Sequence, residues 1–142
     1  MRKPQSGVML LEALIAILIF SVGILGIVGM QASTIKASRD GKFRSEAGLL
    51  ANELIGQMWV GARDGTTLRD NFQTGGAIYL PWAARVAATL PGAGATANPP
   101  LVTITPGDVG PPATPSTVTV VVRWQAPNET TAHSHRVIVQ II

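Results

Sequence analysis

The sequence predicts an α+β protein: a long N-terminal helix, apolar through its first half, with a small antiparallel β-sheet laid across its second half. Three observations predict this. Residues 8–30 form an almost unbroken apolar run. An amphipathic helical pattern follows it directly. The chain then closes with two β-branched, alternating segments joined by a turn.

The apolar run comes first. Its 23 consecutive positions are apolar or glycine except Glu12 and Ser21. As a helix they reach about 34 Å, enough for a hydrocarbon core of about 30 Å. Arg2 and Lys3 precede the run; Lys36, Arg39, Lys42 and Arg44 follow it, offset by Asp40. Basic residues alone therefore do not orient the span. A cleaved secretory signal would have an apolar stretch of about 7–15 residues ending at a small-x-small site. This run is longer, has no such site at its end, and flows into a second helical pattern. A plain anchor leaves Glu12 unexplained. A carboxylate in a spanning helix costs about 2–3 kcal/mol near the centre, so it marks function or a paired charge.

The helical pattern continues beyond the run. Ile35, Phe43, Ala47, Leu50, Leu54 and Met58 recur at helical spacing, while Lys36, Asp40 and Arg44, and Lys42 and Glu46, stand four apart as surface ion pairs. A single helix over about 8–60, near 80 Å long, is the simplest reading, ending near Val60-Gly61 or at the Asp64-Gly65 turn signal. Residues 71–78 read as a turn-rich connector. Residues 81–90 read as a short helix with Pro81 at its first position. Residues 91–100 are a loop, 101–105 a short strand, and 106–115, with four prolines and two glycines, irregular. Residues 117–124 form the clearest strand, with Val118, Val120, Val122 and Trp124 on one face. Residues 127–130 are a turn, and 136–142 return with Val137, Val139 and Ile141 on one face. A lone hairpin is marginal, so its apolar face needs the stripe from Phe43 to Met58.

Composition bounds the chemistry. The 142 residues suit one domain, or one small domain plus an appendage. Without cysteine there is no disulfide, thiolate metal site or cysteine nucleophile. His133 and His135 share a strand face, but the nearest carboxylate is Glu129 and a third metal ligand is missing. Ser134 has no evident acid partner for a hydrolytic triad. No phosphate loop, paired catalytic carboxylates or dinucleotide fingerprint is present, so the expectation is a protein that is not an enzyme and carries no cofactor. The basic cluster at Lys36, Arg39, Lys42 and Arg44 contains one aromatic, Phe43. It reads as a solvated or intersubunit helix face rather than a nucleic-acid platform. Asn128-Glu129-Thr130 matches a glycosylation sequon, a pattern common by chance. Trp59, Trp82 and Trp124 read as core or edge residues. Gly23, Gly26 and Gly29 recur every third residue, which permits close backbone approach between membrane helices.

Gly7-Val8-Met9-Leu10-Leu11-Glu12-Ala13-Leu14 resembles the cleavage region of type IV prepilins. The resemblance implies a leader of residues 1–7 cut after Gly7 and N-methylation of Val8, where the family usually has phenylalanine. It also implies that Glu12, fifth in the mature chain, pairs with a neighbour's amine. Loss of Arg2 and Lys3 leaves nine basic and eight acidic side chains, a net +1. The stretch 21–31, residues 50–58 and, more loosely, 82–94 resemble minor pilins of the V class (PilV-like). The family implies a pilin-like fold: leader 1–7, transmembrane and pilus-core helix 8–30, its amphipathic continuation 31–62, and a periplasmic head 63–142. The chain would sit N-in in the bacterial inner membrane and then enter a pilus fibre. Implied partners are other minor and major pilins, the prepilin peptidase, the inner-membrane assembly platform and the lipid bilayer. Implied tasks are priming assembly, adhesion, twitching motility or DNA uptake. Two alternatives stay open: a minor pseudopilin of type II secretion, and a membrane-anchored periplasmic binding module that never polymerises.

Overall fold

The computed structural model describes residues 6–61, 64–94, 96–108, 110 and 114–141. It is an α+β chain with the order α1 (Ser6–Val60), α2 (Gly65–Phe72), α3 (Tyr79–Thr89), β1 (Leu101–Thr105), β2 (Ser116–Trp124) and β3 (His133–Ile141). The strands form one open antiparallel sheet in the order β1-β2-β3. Two compact units divide the chain, Met1–Arg39 and Asp40–Ile142.

In the first unit every residue from 8 to 39 is exposed on α1. Ile35, which follows the helical spacing, is among them; the stripe under the sheet begins at Phe43, which is half-buried.

The second unit has an ordinary folded core. Its portion of α1 buries Ala47, Leu50, Ala51, Leu54, Ile55 and Met58 beneath the inner face of the sheet. That face is supplied by Val118, Val120, Val122 and Trp124 of β2, Val102 and Ile104 of β1, and Ile141 of β3, with Val137 and Val139 packed at its side. Ala51 and Ile55 widen the stripe beyond a strict three-four spacing, as a helix covering a broad sheet requires.

α3 completes the core with Tyr79, Trp82 and Val86. Trp82 is 1% exposed and its Nε1–H donates to the Leu50 carbonyl at 2.8 Å, so α3 is bonded as well as packed to α1. Arg85 adds a 2.6 Å ion pair to Glu53, with both side chains well exposed to solvent. Such a surface pair contributes up to about 1 kcal/mol. Tyr79 donates its hydroxyl to the Pro100 carbonyl at 2.7 Å, and burial pushes its pKa above the ordinary 10.0 against a smaller opposing effect of Thr74.

Three local expectations are corrected. Asp64-Gly65 does not end a helix; it starts one. The Asp64 carboxylate accepts from the Thr67 backbone N–H at 2.9 Å, and α2 then buries Leu68 and Phe72 one turn apart. α3 begins at Tyr79, two residues before Pro81, which therefore lies third in the helix. Its missing N–H is harmless there because the first four helical N–H groups lack carbonyl partners. β3 begins at His133 rather than residue 136, because His133 pairs with Trp124 across the sheet and stacks on it at 5.8 Å between ring centroids.

After α3 the chain turns through Gly92, whose φ of +65° and 2.9 Å clearance to Gln125 leave no room for a Cβ. Pro91 accepts the Gln125 backbone N–H at 2.9 Å, tying this turn to the end of β2.

Two predictions follow from the second unit. Trp124 is also buried, but its Nε1–H has no acceptor among the described residues. Trp82→Phe is therefore expected to destabilise the second unit more than Trp124→Phe, by about 1 kcal/mol or more, read by denaturant unfolding. The Thr67 hydrogen bonds hold the Asp64 carboxyl down at about 2, against an ordinary 3.8. A depressed carboxyl contributes stability above its unfolded pKa and loses it as pH falls through the folded value. Asp64→Asn should keep the cap and abolish this acid dependence between about pH 4 and pH 2. Asp64→Ala should lose both, and thermal unfolding across that window checks the series.

Candidate functional site on the N-terminal helix

The expected site residues lie on the first unit's part of α1. Gly7 and Val8 are in its first turn. Glycine costs about 1 kcal/mol relative to alanine in a helix, so Gly7 weakens the helix locally at the Gly7–Val8 bond. Glu12 is four residues beyond Val8, which puts both on one helix face with Cβ atoms about 5–6 Å apart.

The surroundings of Glu12 are apolar. Met9, Leu11, Ile15 and Ile19 are exposed, as are the other large side chains through Met30. The helix satisfies its own hydroxyls. Ser21 donates to the Ile17 carbonyl at 2.7 Å, and Ser33 and Thr34 both donate to the Met30 carbonyl at 2.9 Å. Glu12 differs: it has no hydrogen-bond or ion partner among the described residues. A carboxylate among exposed aliphatic side chains needs water, a proton or a positive partner.

α1 is the one described helix long and apolar enough to cross a membrane, and none of its most apolar window is buried inside the protein. Length and composition of this kind also belong to signal sequences. Gly23, Gly26 and Gly29 leave open space, since a Cβ at any of them would meet nothing within 4 Å. No contact among the described residues requires glycine at these positions. A shallow depression lined by Ile27, Met30, Gln31, Thr34 and Ile35 lies on the same helix and holds no titratable group.

Of the basic cluster, Arg39 closes the first unit and is exposed; in the second unit Lys42 reaches Glu46 at 3.7 Å, one turn away, and Arg44 is exposed. His133 and His135 do share a face. His133 Nε2 lies 2.6 Å from Glu129 Oε2, whereas His135 packs over Gly48 of α1. The two histidines are thus drawn to different neighbours. Among the described residues no three or more of His, Cys, Asp and Glu come together as a metal site. Asn128 sits in the exposed β2–β3 turn with φ +69°. Trp82 and Trp124 are core residues, and Trp59 stands 42% exposed.

Sequence reasoning missed the Asp64 cap, although Asp64, Leu68 and Phe72 carried its signal in their spacing. It also missed Arg85–Glu53, which joins residues 32 apart and has no local signature.

The open glycine positions generate a prediction. Gly26→Leu should leave membrane insertion and the thermal midpoint of the second unit unchanged, because Gly26 lies on a fully exposed stretch and no described residue comes within 4 Å of a Cβ there. Helix content should rise slightly, since leucine favours helix over glycine by roughly 0.5–1 kcal/mol. Circular dichroism in detergent and the membrane fraction of expressing cells measure both. Compared with family models, curated proteins and solved structures, the chain has no match.

Proposed function

We propose that this chain is a minor pilin of a bacterial type IV pilus, of the V class. In this reading prepilin peptidase removes residues 1–7, Val8 becomes the methylated N-terminus, and residues 8–30 hold the subunit in the inner membrane until it enters the fibre. The head folded on residues 40–60 of α1 stays periplasmic and then surface-exposed. The task is structural: priming or modifying the pilus with other minor and major pilins, on the assembly platform, in service of adhesion, motility or DNA uptake.

The observation that carries the reading is Glu12, a carboxylate without a partner among the described residues, in an exposed apolar helix and five residues after a glycine that follows Arg2 and Lys3. Cleavage after Gly7 creates a positive amine one helical turn from Glu12. Opposite charges about 4 Å apart attract by several kcal/mol at an effective dielectric near 20, and desolvation offsets much of that. Pairing between subunits therefore sets register more than bulk stability. The unobstructed glycines at 23, 26 and 29 suit close packing of neighbouring helices in the same fibre.

Mass spectrometry of the mature N-terminus should find Val8 first, and a chain that keeps residues 1–7 in a host with active prepilin peptidase contradicts the reading. Glu12→Leu should insert at normal or higher level, since it removes an insertion penalty, yet be depleted from sheared fibres. Equal incorporation of Glu12→Leu and wild type removes the charge-pairing mechanism. A host whose pilus genes are absent but whose type II secretion genes respond to the variant points to the pseudopilin alternative.

A further inference from the structure

The two edges of the sheet end differently. At β1, Thr74 closes the ladder: its backbone N–H and its hydroxyl both donate to the Val102 carbonyl, at 3.2 and 3.1 Å, and its hydroxyl accepts the Val102 N–H at 2.9 Å. β3 has no such seal. Beyond its pairing with β2, no backbone group of β3 has a hydrogen-bond partner among the described residues. A nine-residue edge is thus left with its outward donors and acceptors open. Edges of this kind accept another strand unless they are blunted.

The chemistry along this edge selects the strand. On the outer face Arg136 aligns with Val121 and Leu101, and Ile138 with Thr119 and Thr103. Arg123 stands diagonal to Arg136 on the same face, because its cross-strand partner is Ser134. Neither arginine has an ion pair among the described residues. One edge arginine could serve only to deter pairing. A second unpaired guanidinium on the central strand adds like-charge repulsion that deterrence does not need. Ile138, 61% exposed, adds an apolar contact beside them.

We propose that β3 is a docking edge to which a different protein adds an extended acidic segment as a fourth strand, with a carboxylate opposite Arg136 and an apolar side chain opposite Ile138. Arginine's fork matches a carboxylate in two parallel hydrogen bonds. No strand of a second copy supplies this complement, because β1, β2 and β3 contain no aspartate or glutamate. Nucleic acid fits less well, because no outward-facing residue of the three strands is aromatic and stacking has no platform. The proposal does not depend on whether α1 polymerises, since a chain that never enters a fibre presents the same edge.

The test uses the full chain in non-ionic detergent micelles and a short fluorescent peptide of alternating threonines whose other face carries glutamate and valine. Fluorescence anisotropy should show saturable binding, weakened about tenfold or more by Arg136→Glu. A peptide with lysine in place of glutamate should bind Arg136→Glu better than it binds the wild type. Two further peptides, N-methylated at alternate sets of backbone nitrogens, separate strand addition from simple charge attraction. One set should abolish binding and the other leave it intact, because only one edge of the peptide faces β3. Equal binding of both methylated peptides, no binding of the parent peptide, or preference for a single-stranded oligonucleotide over the peptide would each overturn the proposal.

Discussion

Burial of the α1 stripe from Ala47 to Met58 under the sheet is the contact on which the rest of the second unit depends. A three-stranded sheet of short strands cannot stand alone with one apolar face in water. Val118, Val120 and Val122 are fully buried because Leu54, Met58 and their neighbours lie against them. α3 is then held to the same helix by the Trp82–Leu50 hydrogen bond, and the Leu90-Pro91-Gly92 turn binds the end of β2. Both α3 and the strands are therefore positioned through α1. Loss of the stripe would expose the inner sheet face and release α3 together.

The same helix meets different demands along its length. From Val8 to Arg39 it is exposed on every side, and its apolar residues do not segregate to one face. From Phe43 onward it is one-sided, with Arg44, Ser45, Asn52 and Glu53 in water and Ala47, Leu50 and Leu54 in the core. An all-round apolar helix suits a lipid or packed-helix environment, and a one-sided helix suits a soluble head. Glu12 breaks the pattern in the first part, which makes it the residue where a functional explanation is required rather than a packing one.

Regular periodicity made much of the fold legible. The β1 boundaries, the inward face of β2, the helix ending near residue 60 and the irregular described residues between 106 and 115 all follow from alternation, helical spacing or proline content. Departures came where local signals have two meanings. Asp-Gly is both a turn former and a helix start, and the tertiary burial of Leu68 and Phe72 decides for the helix. His133 entered β3 through its stacking on Trp124, a cross-strand contact that no window of adjacent residues reveals. The candidate site was legible in another sense. Val8, Glu12 and the three glycines could be picked out one by one, but what they touch lies outside the chain, so neither periodicity nor intramolecular packing defines their partners.

Helix contact between subunits is the central claim, and it can be read directly in a fibre. On the proposed pilin reading, a photo-reactive residue replacing Ile27, between Gly26 and Gly29, should form adducts with another fibre subunit when sheared fibres are illuminated, while the same variant in membranes without assembly should give mainly lipid adducts. A variant that is present in fibres yet never crosslinks to another subunit, while a photo-reactive residue replacing the exposed Thr103 enters fibres equally well, would contradict assembly through this helix.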